Sequence, residues 1–495
     1  MVALNEAFAE IRSAMAKFPL LGSHNPSVPI NRKDIFFPLS HAEALDPDRA
    51  IVIGNRGMGK SFWSNALVDP DLRSYIQEAR PGWWNRRTEF SAFYGFVDSE
   101  GAGNTIGSDT LKILSNDYSA DEIWRAVVLE HLLDFVGATA PRDINQRVLW
   151  VHQNPEKVRE IFTGADQKLS QENKKYVFIF DQLDRLSSDS HETRRKLTEG
   201  ILRLALAFKS YRNLRLKAFM RPDHYLEDTL FQFPDASKIR GESVDLLWTP
   251  TDLYGLFLQK LKFNSEASFT KICKAVGINS ATSLFQYRDF AEDASIQHAL
   301  FDVIAGSEMG SKKRGRPYVW LITHLADARN QVSPRTFLRA LRFSAERKNT
   351  PSNSAIDHLD IHEGVRKASE NRVDDLKEDY PWVQPALTAL QGLSVPCFPE
   401  KMIEKWRSSA EFATSMRRLS QRELPSGLDR FGADNSENYR LLIKAMAQIG
   451  VVEQRITTGK VNIPDIFRLG ANLKRRGGVT PQQRQKIRKV SNVFD

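Results

Sequence analysis

The chain has 495 residues, 41% of them hydrophobic and 26% charged, a balance that can fill a core without metal or disulfide staples. Two distant cysteines, Cys273 and Cys397, exclude a disulfide framework and a cysteine-ligated zinc site, and fit a reducing, cytoplasmic setting. Lys and Arg total 70 against 61 Asp and Glu, which permits an anionic partner, and no window approaches the ~18 apolar residues of a membrane span.

The first stretch contains Glu6, Glu10 and Arg12, so it is a helix from Glu6 to Lys17 rather than a signal peptide. A Pro-rich approach through Asn25-Pro26 and Pro29 leads to a short β-rich run, Arg49 to Ile53. Phe90 to Val97 reads as a second strand, and 121–137 has helical spacing. Tyr176 to Phe180 (YVFIF) is the continuous apolar strand expected at the centre of a parallel sheet covered on both faces. A helix from about Glu192 to Tyr211 precedes another strand, Leu214 to Met220. This alternation predicts an α/β fold with a doubly wound, mostly parallel sheet.

From Thr249 the pattern turns helical, up to about Ser369, with an exposed basic loop between Gly306 and Pro317. The last unit has helices, then Tyr439 to Gly450, then two β-rich runs, Val451 to Ile456 and Val461 to Ile463, around the turn Thr457 to Lys460. Helices followed by a hairpin are the ground plan of a winged helix. The expected organisation is therefore an N-terminal helical segment (1–45), a P-loop core (46–248), a helical lid (249–375), and a winged-helix-like domain with a basic tail (376–495).

Gly54-Asn55-Arg56-Gly57-Met58-Gly59-Lys60-Ser61 matches G-x-x-x-x-G-K-[ST] at every fixed position, between a strand and the helix Phe62 to Val68. Its glycines let successive N–H groups point at phosphates, and the helix N-terminus adds partial positive charge. The expected ligand is ATP, with Lys60 reaching the β- and γ-phosphates and the Ser61 hydroxyl on Mg²⁺. Asp181 ends the YVFIF strand, where a second metal-holding carboxylate belongs.

The run Phe180-Asp181-Gln182-Leu183-Asp184-Arg185 resembles the h-D-D-L-D-R signature of KAP-type P-loop NTPases, a family similar to the STAND branch. The origin-recognition type of AAA+ proteins has related strands, so the chain resembles a KAP-like or origin-recognition-like bacterial ATPase from about Arg49 to Ala345. The resemblance implies three roles. Asp184 would position or deprotonate the attacking water, because Gln182 stands where many AAA+ enzymes have a catalytic Glu and can orient water but not take its proton. Arg221, after Met220, would be a first phosphate sensor, or else pair with a neighbouring acid. Arg335, in Ser333-Pro334-Arg335 at a helix start, would be a second sensor, or a surface residue on a capped helix.

Arg468, Lys474, Arg475, Arg476, Arg484, Lys486, Arg488 and Lys489 carry no acid among them, a possible phosphate-contacting surface for double-stranded DNA or other nucleic acid. Arg314-Gly315-Arg316-Pro317 resembles the core of a minor-groove AT-hook, with a plain basic loop as the alternative. Trp83-Trp84 beside Arg86 and Arg87 could stack on a base or anchor a loop, and the histidines show no ligand spacing, so no zinc is expected. The first functional reading is an ATP-hydrolysing switch that presents the winged helix to nucleic acid or a partner protein. The alternatives are a nucleotide-binding DNA adaptor with negligible turnover, or a signalling or defence ATPase that oligomerises with nucleotide and acts through a separate effector protein.

Overall fold

The computed structural model describes residues 2–19, 35–79, 89–98, 106–187, 190–227, 229–278, 293–420, 423–425, 428, 431–432 and 435–476. Asn25, Pro26, Pro29, the Trp83-Trp84 pair with Arg86 and Arg87, and Arg484, Lys486, Arg488 and Lys489 lie outside them. The chain forms two compact units, Met1–Trp320 with Val332–Ile361, and Leu321–Gln331 with His362–Asp495. No helix among the described residues is long and apolar enough to cross a membrane.

The first unit opens with helix α1 (Val2–Ala16) and contains five strands: β1 (Ile51–Ile53), β2 (Glu89–Phe96), β3 (Lys174–Phe180), β4 (Leu214–Met220) and β5 (Ser243–Asp245). Every pairing is parallel, in the order β2-β3-β4-β1-β5. Because β4 lies between β1 and β3, the loops that follow these three strands leave the sheet side by side at one edge. This is the edge where α/β sheets bind ligands.

The two-residue period of the strands sorts their side chains onto two faces. Ile51, Ile53, Phe178, Phe180, Leu214, Leu216, Ala218 and Met220 join a cluster with the helices Ala120–Val136, Pro155–Glu172 and His191–Phe208. Val52, Val177, Ile179 and Phe219 join the other, with helix α2 (Lys60–Val68), the helix Pro70–Ala79 and Ile35, Phe37, Ala44 and Leu45. Burial on both faces explains the unbroken apolar run of β3. The polar-rich β5 and the helix Pro155–Glu172 lacked such a run and were not legible.

Lys217 of β4 is fully buried on the second face. Its ammonium donates to the carbonyls of Ala44 at 2.9 Å, Asp46 at 2.8 Å and Arg49 at 2.6 Å. Burial pushes its pKa down to about 7. The lysine ties the sheet to the turn that delivers the chain into β1.

The helical part of this unit begins at α3 (Pro250–Asn264), where Thr249 and Asp252 form a capping box. It continues through Glu266–Ala275 and Ala294–Ala305 to α4 (Pro334–Ala345), and α1 packs against the same bundle. Arg12 of α1 is the anchor. Its guanidinium donates to Asp360 Oδ2 and the Ala355 carbonyl, both at 2.8 Å, and to the Arg347 carbonyl at 2.6 Å. Nothing local in the sequence announces that partnership, because its members lie more than 330 positions apart.

The second unit contains the helices Val383–Ala389, Pro399–Arg407, Ala410–Arg418 and α5 (Ser436–Gln448), then the antiparallel hairpin β7 (Glu453–Arg455) and β8 (Lys460–Asn462). β6 (Ser394–Val395) pairs in parallel with β9 (Lys474–Arg475), and Cys397, just after β6, bridges Val461 antiparallel. These helices, with a first strand and a wing hairpin, make this a winged-helix-like domain. In its core Trp406 stacks on Phe412 and Tyr439, and Phe431 meets both of these edge-on.

Candidate functional site

Helix α2 starts at Lys60 itself, with Gly59 as N-cap. Gly57 and Gly59 have φ of 83° and 105°, a left-handed conformation that L side chains rarely adopt and that phosphate-binding loops of this motif require. Trp248 Nε1 donates to the Met58 carbonyl at 2.9 Å, and Trp63 Nε1 donates to His41 Nδ1 at 2.8 Å. The other nitrogen of His41 meets the Leu247 carbonyl at 3.0 Å, and burial drives the ring's pKa down to about 3, so it stays neutral. Phe36 stacks on Trp248. The P-loop therefore rests on an aromatic bracket whose members come from residues 36–41, α2 and the segment after β5.

Lys60 donates to the carbonyls of its own loop, Gly54 at 2.8 Å and Asn55 at 3.3 Å. Burial and the Arg221 charge lower its pKa to about 8, against the opposing pull of Asp181, Asp184 and Asp223. Asp181, at the end of β3, accepts from Ser64 Oγ at 2.9 Å and from the Gln182 N–H at 2.8 Å. Burial raises its pKa, while Lys60, the Ser61 hydroxyl and the two bonds just named oppose the rise. A hydroxyl and a carboxylate in contact, beside a loop shaped for phosphates, suit Mg²⁺, which takes few protein ligands and completes its shell with phosphate oxygens and water.

Gln182 takes a left-handed conformation (φ 56°, ψ 39°) and opens the short 3₁₀ turn Leu183–Arg185. Its buried Oε1 has no hydrogen-bond partner among the described residues. Asp184 accepts from Arg221 Nη2 at 2.7 Å. Burial alone would raise the Asp184 pKa, but Arg221, His224 and Lys60 together hold it at about 2. Arg221 thus pairs with Asp184, a neighbouring acid of the kind the sequence left open as its partner.

Arg335 and Ser333 come to the same place from the start of α4. A Cβ added to Gly57 would lie 3.3 Å from Arg335 Cβ and 3.3 Å from Ser333 Oγ. Ser333 caps the helix through the Thr336 N–H at 3.1 Å. Arg335 is therefore a neighbour of the P-loop rather than a remote surface residue. Gly54, Asn55, Arg56, Gly57, Met58, Gly59, Lys60, Ser61, Asp181, Gln182, Asp184, Arg221 and Arg335 all belong to this one unit. Sequence reasoning missed Ser64, Trp248 and His41. Ser64 stands one helical turn beyond Ser61, a spacing that puts both on one face, whereas the bracket carries no local signal.

In the second unit, α5 exposes Ser436, Glu437, Arg440 and Lys444, and Ile456 at the wing tip is 97% exposed. Part of the tail's positive charge is engaged. Arg468 Nε donates to Asp465 at 2.6 Å and Arg475 Nη1 at 3.1 Å, so an acid just outside the basic run neutralises it locally. Among the described residues, no group of three or more His, Cys, Asp or Glu side chains could hold a metal ion.

No protein-family model matches the chain, and no curated protein does. Solved structures resemble it at low identity. The Aeropyrum pernix ORC1 protein in complex with DNA is 12% identical with a TM-score of 0.34, the match covering 93% of this chain and 94% of that one. The Walker-type ATPase PABY2304 of Pyrococcus abyssi is 12% identical with a TM-score of 0.40, covering 92% and 99%. The A. pernix ORC2 protein, in ADPNP–ADP complexes, is 11% identical with a TM-score of 0.35, covering 92% and 96%. The reading of the site rests on its own geometry.

Proposed function

We propose that the chain is an ATP-binding P-loop NTPase whose nucleotide state governs a winged-helix module that contacts nucleic acid. The observation that carries the first half is the convergence of Lys60, Ser61 and Asp181 behind a left-handed glycine loop, with Arg335 against Gly57. ATP supplies the phosphoanhydride bond, and Mg²⁺ neutralises charge across the phosphates. Ser61 and Asp181 hold the ion, with Ser64 and the Gln182 N–H fixing the carboxylate's rotamer. Lys60 exchanges its two loop carbonyls for phosphate oxygens. Arg221 and Arg335 are the further cations for charge that builds on the transferred group.

Gln182 Oε1 is the acceptor that orients the attacking water. Asp184, held at about 2, is a weak proton acceptor near neutral pH, where a base works best with a pKa close to the ambient value. It becomes a stronger base only when Arg221 turns from it towards phosphate. That pairing favours a second reading, a nucleotide-binding DNA adaptor with little turnover. For the DNA-contacting half, α5 offers exposed Arg440 and Lys444 in front of a wing, the arrangement by which a helix enters a groove and a hairpin flanks it.

Titration with a fluorescent ATP analogue tests the site. Lys60→Ala is expected to weaken binding at least tenfold and Asp181→Ala to remove its Mg²⁺ dependence. Unchanged affinity in both refutes the assignment. Single-turnover hydrolysis with and without duplex DNA separates the two readings, since phosphate release in neither condition selects the adaptor.

A further inference from the structure

Several cations on the first unit are answered by an acid. Arg195 bonds Glu192 and Glu199, Arg342 bonds Glu346, and Lys175 and Arg215 share Asp48. In one loop cations without such a partner stand side by side. Lys312, Lys313 and Arg314 are all exposed, and none makes an ion pair or side-chain hydrogen bond with a described residue. Arg316 follows, also exposed, and its field reaches half-buried Asp302. Water and salt screen the repulsion among these exposed charges, and a polyanion laid along them would gain from all of them together.

The segment is built, not loose. Lys312–Arg314 form a 3₁₀ turn, closed by Arg314 N–H to the Ser311 carbonyl at 3.0 Å. The N–H of fully buried Met309 donates to the Gly315 carbonyl at 2.9 Å, fastening the loop's two ends. Gly310 takes φ 76° and packs so close to His358 that a Cβ would lie 2.9 Å from the ring. The cations are thus presented on a backbone that needs no ordering on binding, which keeps the entropic cost low.

The same geometry overturns the AT-hook resemblance. Gly315 sits at φ 88° and ψ −176°, and Pro317 opens the helix Pro317–Leu325, so Arg314-Gly315-Arg316-Pro317 is no extended strip able to lie along a minor groove. Two of the three presented cations are lysines, point charges that suit phosphates and do not read base edges bidentately.

We propose that the 3₁₀ turn Lys312–Arg314 is a second, sequence-independent contact to the phosphate backbone of double-stranded DNA, on a different unit from the winged helix. The proposal rests on the nucleic-acid reading of the winged helix, because DNA held by Arg440 and Lys444 is the polyanion the chain already meets. Its contribution is counterion release. Each phosphate neutralised adds about 0.9 to the slope of log K against log salt, so three contacts add about 2.7.

The test is fluorescence anisotropy of the full chain on two unrelated duplexes across a salt series, with polyglutamate as an acidic competitor. Lys312→Ala/Lys313→Ala/Arg314→Ala is expected to lower the slope by roughly 2–3 and weaken binding by one to two orders of magnitude near 0.1 M salt, equally on both duplexes. Nucleotide binding stays unchanged. Lys313→Gln alone lowers the slope by about 1, which keeps the test sound should the triple variant fold poorly. An unchanged slope overturns the proposal, as does a loss confined to one sequence, or polyglutamate displacing DNA at equal charge. Arg440→Ala/Lys444→Ala separates the two failures. If it lowers the slope and the loop variants do not, the winged-helix reading stands and the loop contact falls; if the parent binds neither duplex, both fall.

Discussion

Removing Arg221 should destabilise the protein through the carboxylate it leaves behind. Asp184 ionises at about 2 in the folded chain against 3.8 for an unperturbed aspartate, so its ionisation stabilises the fold by about 2 kcal/mol above pH ~4. The group's folded pKa is depressed, so this contribution is present above the unfolded value and disappears as pH falls towards 2. In Arg221→Ala the burial of Asp184 loses its main opponent, and its pKa moves upward. The ionised carboxylate then costs free energy at neutral pH, and the expected total loss is about 3–5 kcal/mol, the range for breaking a buried pair from one side. Asp184→Asn in addition removes the stranded charge and should restore most of it. Urea unfolding followed by tryptophan fluorescence and far-UV circular dichroism, at pH 7 and pH 4, measures all four corners of the cycle. A double variant no more stable than Arg221→Ala, or a penalty that does not shrink at the lower pH, refutes the reasoning.

Trp248→Phe keeps the ring on Phe36 but removes the donor to the Met58 carbonyl, and should weaken nucleotide affinity about three- to tenfold, measured by fluorescent-ATP titration, with thermal stability changed by only ~1 kcal/mol. Gly95→Ala places a Cβ 2.3 Å from the ring of Phe180, in the core one residue before Asp181. It should cost at least 1–3 kcal/mol in a melting experiment, as overpacking does, and lower Mg²⁺-dependent binding with it.

What the sequence made legible was whatever has a short-range cause. The P-loop, Asp181 and the N-cap at Ser333 are each fixed by neighbours within eight residues, and β3 and β4 by their apolar runs. The strand ends and helix starts moved by one to four residues, as with α2 beginning at Lys60 and α5 at Ser436. Lys217 is a charge inside LRLKAFM, and only the turn at Ala44 to Arg49 supplies the carbonyls that let it be buried. The bracket of His41, Trp63 and Trp248 draws on three segments, and Phe36 packs among ordinary-looking apolar residues. Arg12 counted in the sequence only as a charge that argues against a signal peptide, whereas it is a buried anchor whose acceptors come from the far end of the unit. The Arg314-to-Pro317 motif was misleading because a four-residue pattern does not encode the backbone that displays it.

The Arg12 anchor also sets an order of events at the ribosome. Its carboxylate partner, Asp360, is 348 positions downstream. At about 5–20 residues per second, that partner is made roughly 17–70 seconds after Arg12. Until α3, Glu266–Ala275 and α4 are made, the apolar face of α1 (Ala7, Phe8, Ile11, Met15) has nothing native to cover it, whereas every strand of the β1-to-β5 sheet precedes those helices. The helical bundle is therefore the last part of the first unit to close, and chaperone dependence of synthesis should track this helix rather than the sheet.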